Sequence, residues 1–297
     1  MAIGLITHQD TTRPEDVIGE ITNLDFESTP FLSNIGESSA QNTLHEWQVD
    51  TYSAAADNAV AEGSAASIVD LTQPTRSTNV VQLFRKVVSV SDTESAIPHY
   101  GMGDPFTYQT DKKMTELMRD CEKAAIQGTR ASGSSGVARR MDGAIALVTT
   151  NKTARASGTS FSETEFNDLI RGIYDNGTDS TVDLVLLPSY LKWVVDQFNT
   201  KVTQNINAKE YEQVLRVETY TSSFGTHRIV HSREVPSNGV LAVDTSKFRK
   251  AYLVGRKPQM KPLGKVGSDT RGLIEAEVTL EALNEKSSAY RSGYFVG

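Results

Sequence analysis

The chain is poor in the residues that carry chemistry. It has a single cysteine, Cys121, among 297 residues, so no intrachain disulfide can form and nothing in its cysteine usage marks an oxidising compartment. Aromatic content is only 7% and hydrophobic content 38%, which suits a folded protein but is lean for one dense core. No apolar run reaches the length needed to span a membrane, and "MAIGLITHQD" has neither the basic start nor the apolar length of a signal peptide. The chain therefore reads as soluble and made in the cytoplasm, with no membrane partner. A G-x-S-x-G elbow, a P-loop and a dinucleotide fingerprint are all missing.

Histidine is scarce too, and the five present do not gather by spacing. His45-Glu46 in "NTLHEWQVD" opens like a zinc-protease motif, but the second ligand would fall at position 49, which is Val. Alternation of Thr43, His45, Trp47 and Val49 predicts a strand with an exposed His45. His227 and His231 share a strand face in "THRIVHSRE" and form the best remaining pair. A third ligand in register is lacking, so they read as ordinary strand residues rather than a metal site. Cys121 falls on an apolar helix stripe and is expected to be an inert core thiol. Asp111, Glu116, Asp120 and Glu122 are expected among lysines on a solvated helix face. No metal, cofactor or catalytic residue is predicted.

Charge is missing by sign in two places. From Glu37 to Asp70 there are six acids and no Lys or Arg; from Lys247 to Lys265 there are seven bases and no acid. They are either two solvated surfaces or complementary faces of different subunits. A net charge of −7 argues against a whole surface built to bind nucleic acid.

What is present is a clear order of parts. Residues 1–41 carry short apolar patches and a short predicted helix near 14–24, and read as an arm. Strands are predicted at 43–50 and 76–91, joined by "TYSAAADNAVAEGSAASIVDLTQPT", which offers little for a core. They would form one long hairpin, marginal in water unless it lies on something. "DPFTYQTDKKMTELMRDCEKAAIQG" predicts a long helix over 104–128, with Asp104 as N-cap, Pro105 at the first position and Gly128 just past the end. Its buried stripe is Met114, Leu117, Met118, Cys121, Ala124 and Ala125. "GTRASGSSG" reads as a flexible break. Residues 141–255 read as an α/β unit. It holds a capping box at Ser162–Glu165, a helix face of Phe166, Leu169, Ile170, Ile173 and Tyr174, and a strand at 182–187. A second helix starts at Pro188-Ser189, and strands follow near 215–220, 227–232, 239–243 and 250–254. Two further strands are predicted at 273–283 and 288–296.

This order, together with "STPFLSNIG", "NTLHEWQVD", "RSTNVVQ", "VSVSDTE", "YTSSFGTHRIV", "LAVDTSKFRKAYLVG" and "TLEALNEKS", resembles the tailed-phage major capsid proteins of the Hong Kong 97 fold over most of the chain. The resemblance implies an α+β protein that self-assembles into an icosahedral head shell around double-stranded DNA. It implies an arm at 1–41, an extended loop at 42–92, a peripheral domain at 93–140 and 256–297 containing the spine helix, and an axial domain at 141–255. Implied partners are other copies in pentamers and hexamers, a portal, a decoration protein and packaged DNA. Because Met1 opens directly on the arm, a separate scaffold protein is expected. The expected inter-subunit contacts are Trp47, Glu46, Asp50, Glu62, Arg76, Arg85, Lys257 and Lys261. Trp47 would anchor on a neighbour's spine helix or else pack in its own core. No Lys lies between Thr51 and Arg85, so no isopeptide cross-link through this loop is expected. The rival readings are a soluble α/β hydrolase with a site near His227 and His231, and a phage tail-tube or adhesin subunit.

Overall fold

The computed structural model describes residues 29–66, 71–99, 102–176, 181–198 and 218–296, so the helix expected near 14–24 lies outside the described residues. The chain runs through α1 (Pro30–Asn34), β1 (Gly36–Ala40), β2 (Leu44–Val49), β3 (Thr75–Val80), β4 (Gln82–Ser91) and α2 (Asp92–Ala96). The long helix α3 (Pro105–Gln127) and the short α4 (Ala144–Leu147) come next. They lead to β5 (Lys152–Thr159), α5 (Glu163–Asp175), β6 (Leu184–Leu187) and α6 (Ser189–Asp196). The remainder is strand: β7 (Thr219–Ser222), β8 (Gly225–His231), β9 (Gly239–Val243), β10 (Phe248–Leu253), β11 (Gln259–Leu263), β12 (Asp269–Ala282) and β13 (Ala289–Tyr294).

Helix α3 forms where its end signals put it. The Asp104 carboxylate accepts from the Phe106 and Thr107 amides at 3.3 and 3.0 Å, filling two of the donors a helix start leaves unpaired. Gly128 ends the helix, but not through the left-handed conformation expected of a glycine there; its φ is −52°. Glycine is required for space, since a Cβ would sit 2.4 Å from the Ala124 carbonyl oxygen and 2.5 Å from that of Met141. Leu117, Cys121, Ala125 and Ile126 are buried, with Met114, Met118 and Ala124 packed beside them.

That stripe lies on β4 and β12. In the five-stranded sheet β12 is the axis. β4 pairs antiparallel along one edge over 269–278, while β10 and β11 share the other edge in succession. β1 adds in parallel to β10. A six-stranded sheet runs β5-β13-β9-β6-β8-β7. Its inner strand β6 is buried on both faces, which is why it reads as an unbroken apolar run. Leu184 and Leu186 join the main core under α3; Val185 and Leu187 face the cluster built by Phe166, Leu169, Ile170 and Ile173 of α5 with Leu191 and Val195 of α6. Tyr174, expected on that buried face, is exposed.

Strand pairing moves the expected boundaries. Residues 29–40 are part of the body, through α1 and β1. The ribbon pairs only β2 with β3, from Leu44↔Val80 to Val49↔Thr75. Buried Val81 interrupts the expected 76–91 strand, and 82–91 joins the five-stranded sheet. β10, expected in the axial unit, pairs with β12, and β13, expected in the peripheral one, pairs with β9 and β5. Contiguous cuts of a sequence cannot follow pairings that cross them, whether near, as between β10 and β12, or far, as between β1 and β10. The expected flexible break is instead a small hairpin. Ala131 and Arg140 exchange both backbone bonds, and Ser134 and Val137 exchange two more. Its turn uses Gly133 and Gly136 at φ 78° and 80°, where a side chain would strain the backbone.

Candidate assembly surfaces

The ribbon is firmly rooted. Trp47 is 8% exposed, and its indole N–H donates to the Ala282 carbonyl at 2.8 Å. Its ring packs in the core of its own chain, so its expected role as an anchor on a neighbour gives way to internal packing. His45 is not the exposed residue expected. Its Nε2 lies 2.7 Å from Glu281 Oε1, and Ser38 donates to the other Glu281 oxygen at 2.9 Å. Burial pushes the Glu281 carboxyl up, but the bonds from His45 and Ser38 outweigh it and hold the group below its ordinary range. Asn79, fully buried, donates to the carbonyls of Leu280 and Asp142 and accepts from the Asp142 amide.

Beyond this root the chain changes character. Every described residue from Asp50 to Pro74 is exposed, including Tyr52, Val60 and Leu71. Asp50, Asp57 and Glu62 project there without a base between Thr51 and Thr75. Residues 50–66 carry no helix or strand, and loops that long in a packed protein are uncommon and usually functional or linkers.

The second surface is the side of the five-stranded sheet away from α3. The run "IEAEVTLEA" alternates, so Ile274, Ala276, Val278, Leu280 and Ala282 face the core while Glu275, Glu277, Thr279 and Glu281 face the other way. The carboxylates are held. Arg85 reaches Glu275 at 2.7 Å, and Arg256 spans Glu275 and Glu277 at 3.4 and 2.9 Å. Arg139 reaches Glu277 at 3.4 Å. Registers Lys261↔Leu273↔Val87 and Leu263↔Arg271↔Ser89 put Lys261, Val87 and Leu263 on this same side. Leu83, Val87, Val137 and Leu263 are exposed. A groove of about 510 Å³ is lined by Leu83, Val137 and Arg139.

The remaining sequence candidates scatter. Glu46 and Arg76 pair with each other across the ribbon at 3.6 Å. Lys257 pairs with Glu37 at 3.0 Å and stands over the Tyr252 ring. Lys250 also reaches Glu37, and Lys265 pairs with Asp92. The acidic and basic stretches thus meet partly within one chain. Lys257 first, with Lys250, holds Glu37 below the usual carboxylate range. Lys261 has no ion-pair partner among the described residues.

His227 and His231 do not make a joint site. His227 is fully buried, its Nδ1 donating to the Val182 carbonyl at 2.5 Å and its Nε2 accepting from Ser222 Oγ at 2.6 Å; His231 is exposed. Burial lowers the His227 pKa, which keeps the ring neutral. Among the described residues no three His, Cys, Asp or Glu side chains gather to hold a metal. Cys121 is buried and burial pushes its thiol pKa up.

Two groups of features escaped the sequence reading. The carboxylate row of β12 was legible in the I-E-A-E alternation. Glu122, placed on the solvated side of α3, is 1% exposed. Its spacing of four from both Met118 and Ile126 puts it at the edge of the buried stripe.

A sheet carrying a long helix on one face, a second sheet with its own helices, and an outstretched loop define a shell-forming subunit of the Hong Kong 97 type. The capsid protein of a native GTA particle superposes with a TM-score of 0.70 at 11% identity, over 97% of both chains. The capsid of cyanophage P-SCSP1u gives 0.67 at 12% identity, over 97% of this chain and 96% of that one. The chain belongs to the family described as SU10 major capsid protein, whose model matches residues 5–294. It is also 26% identical over 323 aligned residues to the major capsid protein of Escherichia phage Phieco32, covering 90% of each. It is a major capsid protein, a virion component that assembles into multimers.

Proposed function

We propose that copies of this chain close into an icosahedral head shell around double-stranded DNA, and that the loop 50–74 is the strap that each copy lays on its neighbour. The work is structural rather than catalytic. The two sheets correspond to a peripheral body and an axial body, the latter packing around five- and six-fold centres as pentamers and hexamers. A separate scaffold, a portal and a decoration protein act alongside, and assembly proceeds in the host cytoplasm.

The observation that carries the strap is its contrast with its own root: Trp47, His45 and Asn79 are locked into the body, while each described residue of 50–74 is exposed. The open side of the five-stranded sheet suits it as a landing surface. It offers Leu83, Val87 and Leu263 to the loop's few apolar groups. Its cations Arg85, Arg139, Arg256 and Lys261 outnumber Glu275, Glu277 and Glu281, opposite to the loop's charge. Many weak contacts repeated over a closed surface then give the shell its strength.

Replacing residues 52–72 by a short Gly-Ser turn tests this. The expected outcome is a subunit with unchanged circular dichroism and melting temperature that forms no closed shells by negative-stain microscopy, alone or with a scaffold partner. Normal shells from the shortened chain would overturn the strap reading. Tubes or small rings from the full chain would favour a tail-tube subunit.

A further inference from the structure

Helix α1 has an unusual cap. Thr29 stands at its N-cap position but its side chain makes no capping bond. The first two amides are satisfied instead from ninety residues away, Phe31 N–H donating to Glu122 Oε1 at 2.7 Å and Leu32 N–H to Oε2 at 2.8 Å. The seat is otherwise apolar. Phe31, Leu32 and Ile35 are buried, with Phe31 edge-on to Phe248 at 5.7 Å. The other carboxylates of α3, Asp111, Glu116 and Asp120, reach solvent; Glu122 does not.

The charges around this carboxylate are few. Residues Pro30–Asn34 contribute none. From β10, Lys250 attracts it, while also donating to the Leu32 carbonyl at 3.1 Å and pairing with Glu37. Glu234 repels it. Burial outweighs the two amide bonds and the lysine, and pushes the Glu122 carboxyl up to about 7.

We propose that Glu122 is a proton-operated clasp that seats the segment 30–35 on the spine helix. The direction follows from linkage. A carboxyl released to water returns to its ordinary value of 4.5, so the closed seat binds the proton more tightly than the open one. Closure is therefore favoured fully below that ordinary value and is lost progressively as pH rises through about 7. Losing the proton puts a negative charge in a largely apolar seat, a cost that the two amides and Lys250 offset only in part, and opening hydrates it. The clasp thus sets how firmly the segment 30–35 is held on the spine helix.

Hydrogen exchange with mass spectrometry on purified shells, followed in a peptide covering 29–36 and corrected for intrinsic rates, reads the opening directly. The protection of this peptide is expected to fall about tenfold between pH 6 and pH 8. In Glu122→Gln that slope should vanish. Flat protection in the unmodified protein, or the same slope in the glutamine variant, would overturn the clasp. Should Glu122→Gln fail to assemble, Glu234→Gln decides. Removing a repelling charge must move the loosening to lower pH, and an unmoved transition counts against the proposal.

Discussion

The two sides of the five-stranded sheet are built from the same strands and behave oppositely. On one side Ile274, Ala276, Val278 and Leu280 of β12 meet Phe84 and Val88 of β4 under Leu117, Cys121 and Ala125 of the long helix. That side is finished within the chain. On the other, Glu275, Glu277 and Glu281 are tied down by Arg85, Arg139, Arg256 and His45, and Leu83, Val87 and Leu263 remain open. A two-residue period lets one strand serve both ends. The helix side supplies stability through burial. The charged side adds little net stability, because desolvation offsets much of each ion pair, but it fixes a patterned surface of charges beside exposed apolar groups.

The sharpest way to break this comparison is to hollow out the finished side. Leu117→Ala should cost about 2–5 kcal/mol in chemical denaturation, the usual range for a fully buried leucine. A loss below about 1 kcal/mol would mean the helix is not what completes the sheet. A smaller effect is expected on the other side. Glu277→Ala leaves Arg139 and Arg256 without a shared acceptor and should cost about 1–3 kcal/mol. If the double variant with Arg139→Ala loses the full sum of the two single costs, the pair is not coupled and the patterned-surface reading weakens.

The helix side was legible in the sequence because its signals are local. Asp104, Pro105 and the i, i+3, i+4 stripe fall within twenty-five residues, and the structure places them as expected. The same holds for the strand near 239–243 and the helix cap at Ser162. Pairing partners were not legible. The run at 76–91 is β-branched whether it continues a ribbon or enters a sheet, and only the contact of 82–91 with β12 decides. His45 was misread and Trp47 left open between two roles for the same reason, since their partners Glu281 and Ala282 lie over 230 residues away. Glu122 shows the limit most plainly. Glutamate on a helix among lysines signals solvent, and nothing near it in sequence announces that α1 will come to lie across it.

The finest test separates two lysines that the sequence put in one basic run. Lys257 is exposed and already paired with Glu37, so reversing its charge disturbs its own chain. Lys261 lies on the open side, in register with Leu273 and Val87. Lys261→Glu should therefore change stability by no more than about 0.5 kcal/mol, as expected for a surface position outside any internal network. Its effect should appear only between copies, as a lower yield of closed shells that partly recovers when an acid of the loop, Asp57 or Glu62, is changed to lysine in the same chain. Electrostatic attraction at such a rim is screened by salt, so the deficit should be largest at low ionic strength and shrink toward 0.5 M salt. Undiminished particle yield from Lys261→Glu at low salt would detach the loop from this side of the sheet, and leave its landing surface to be sought among residues nearer the spine helix.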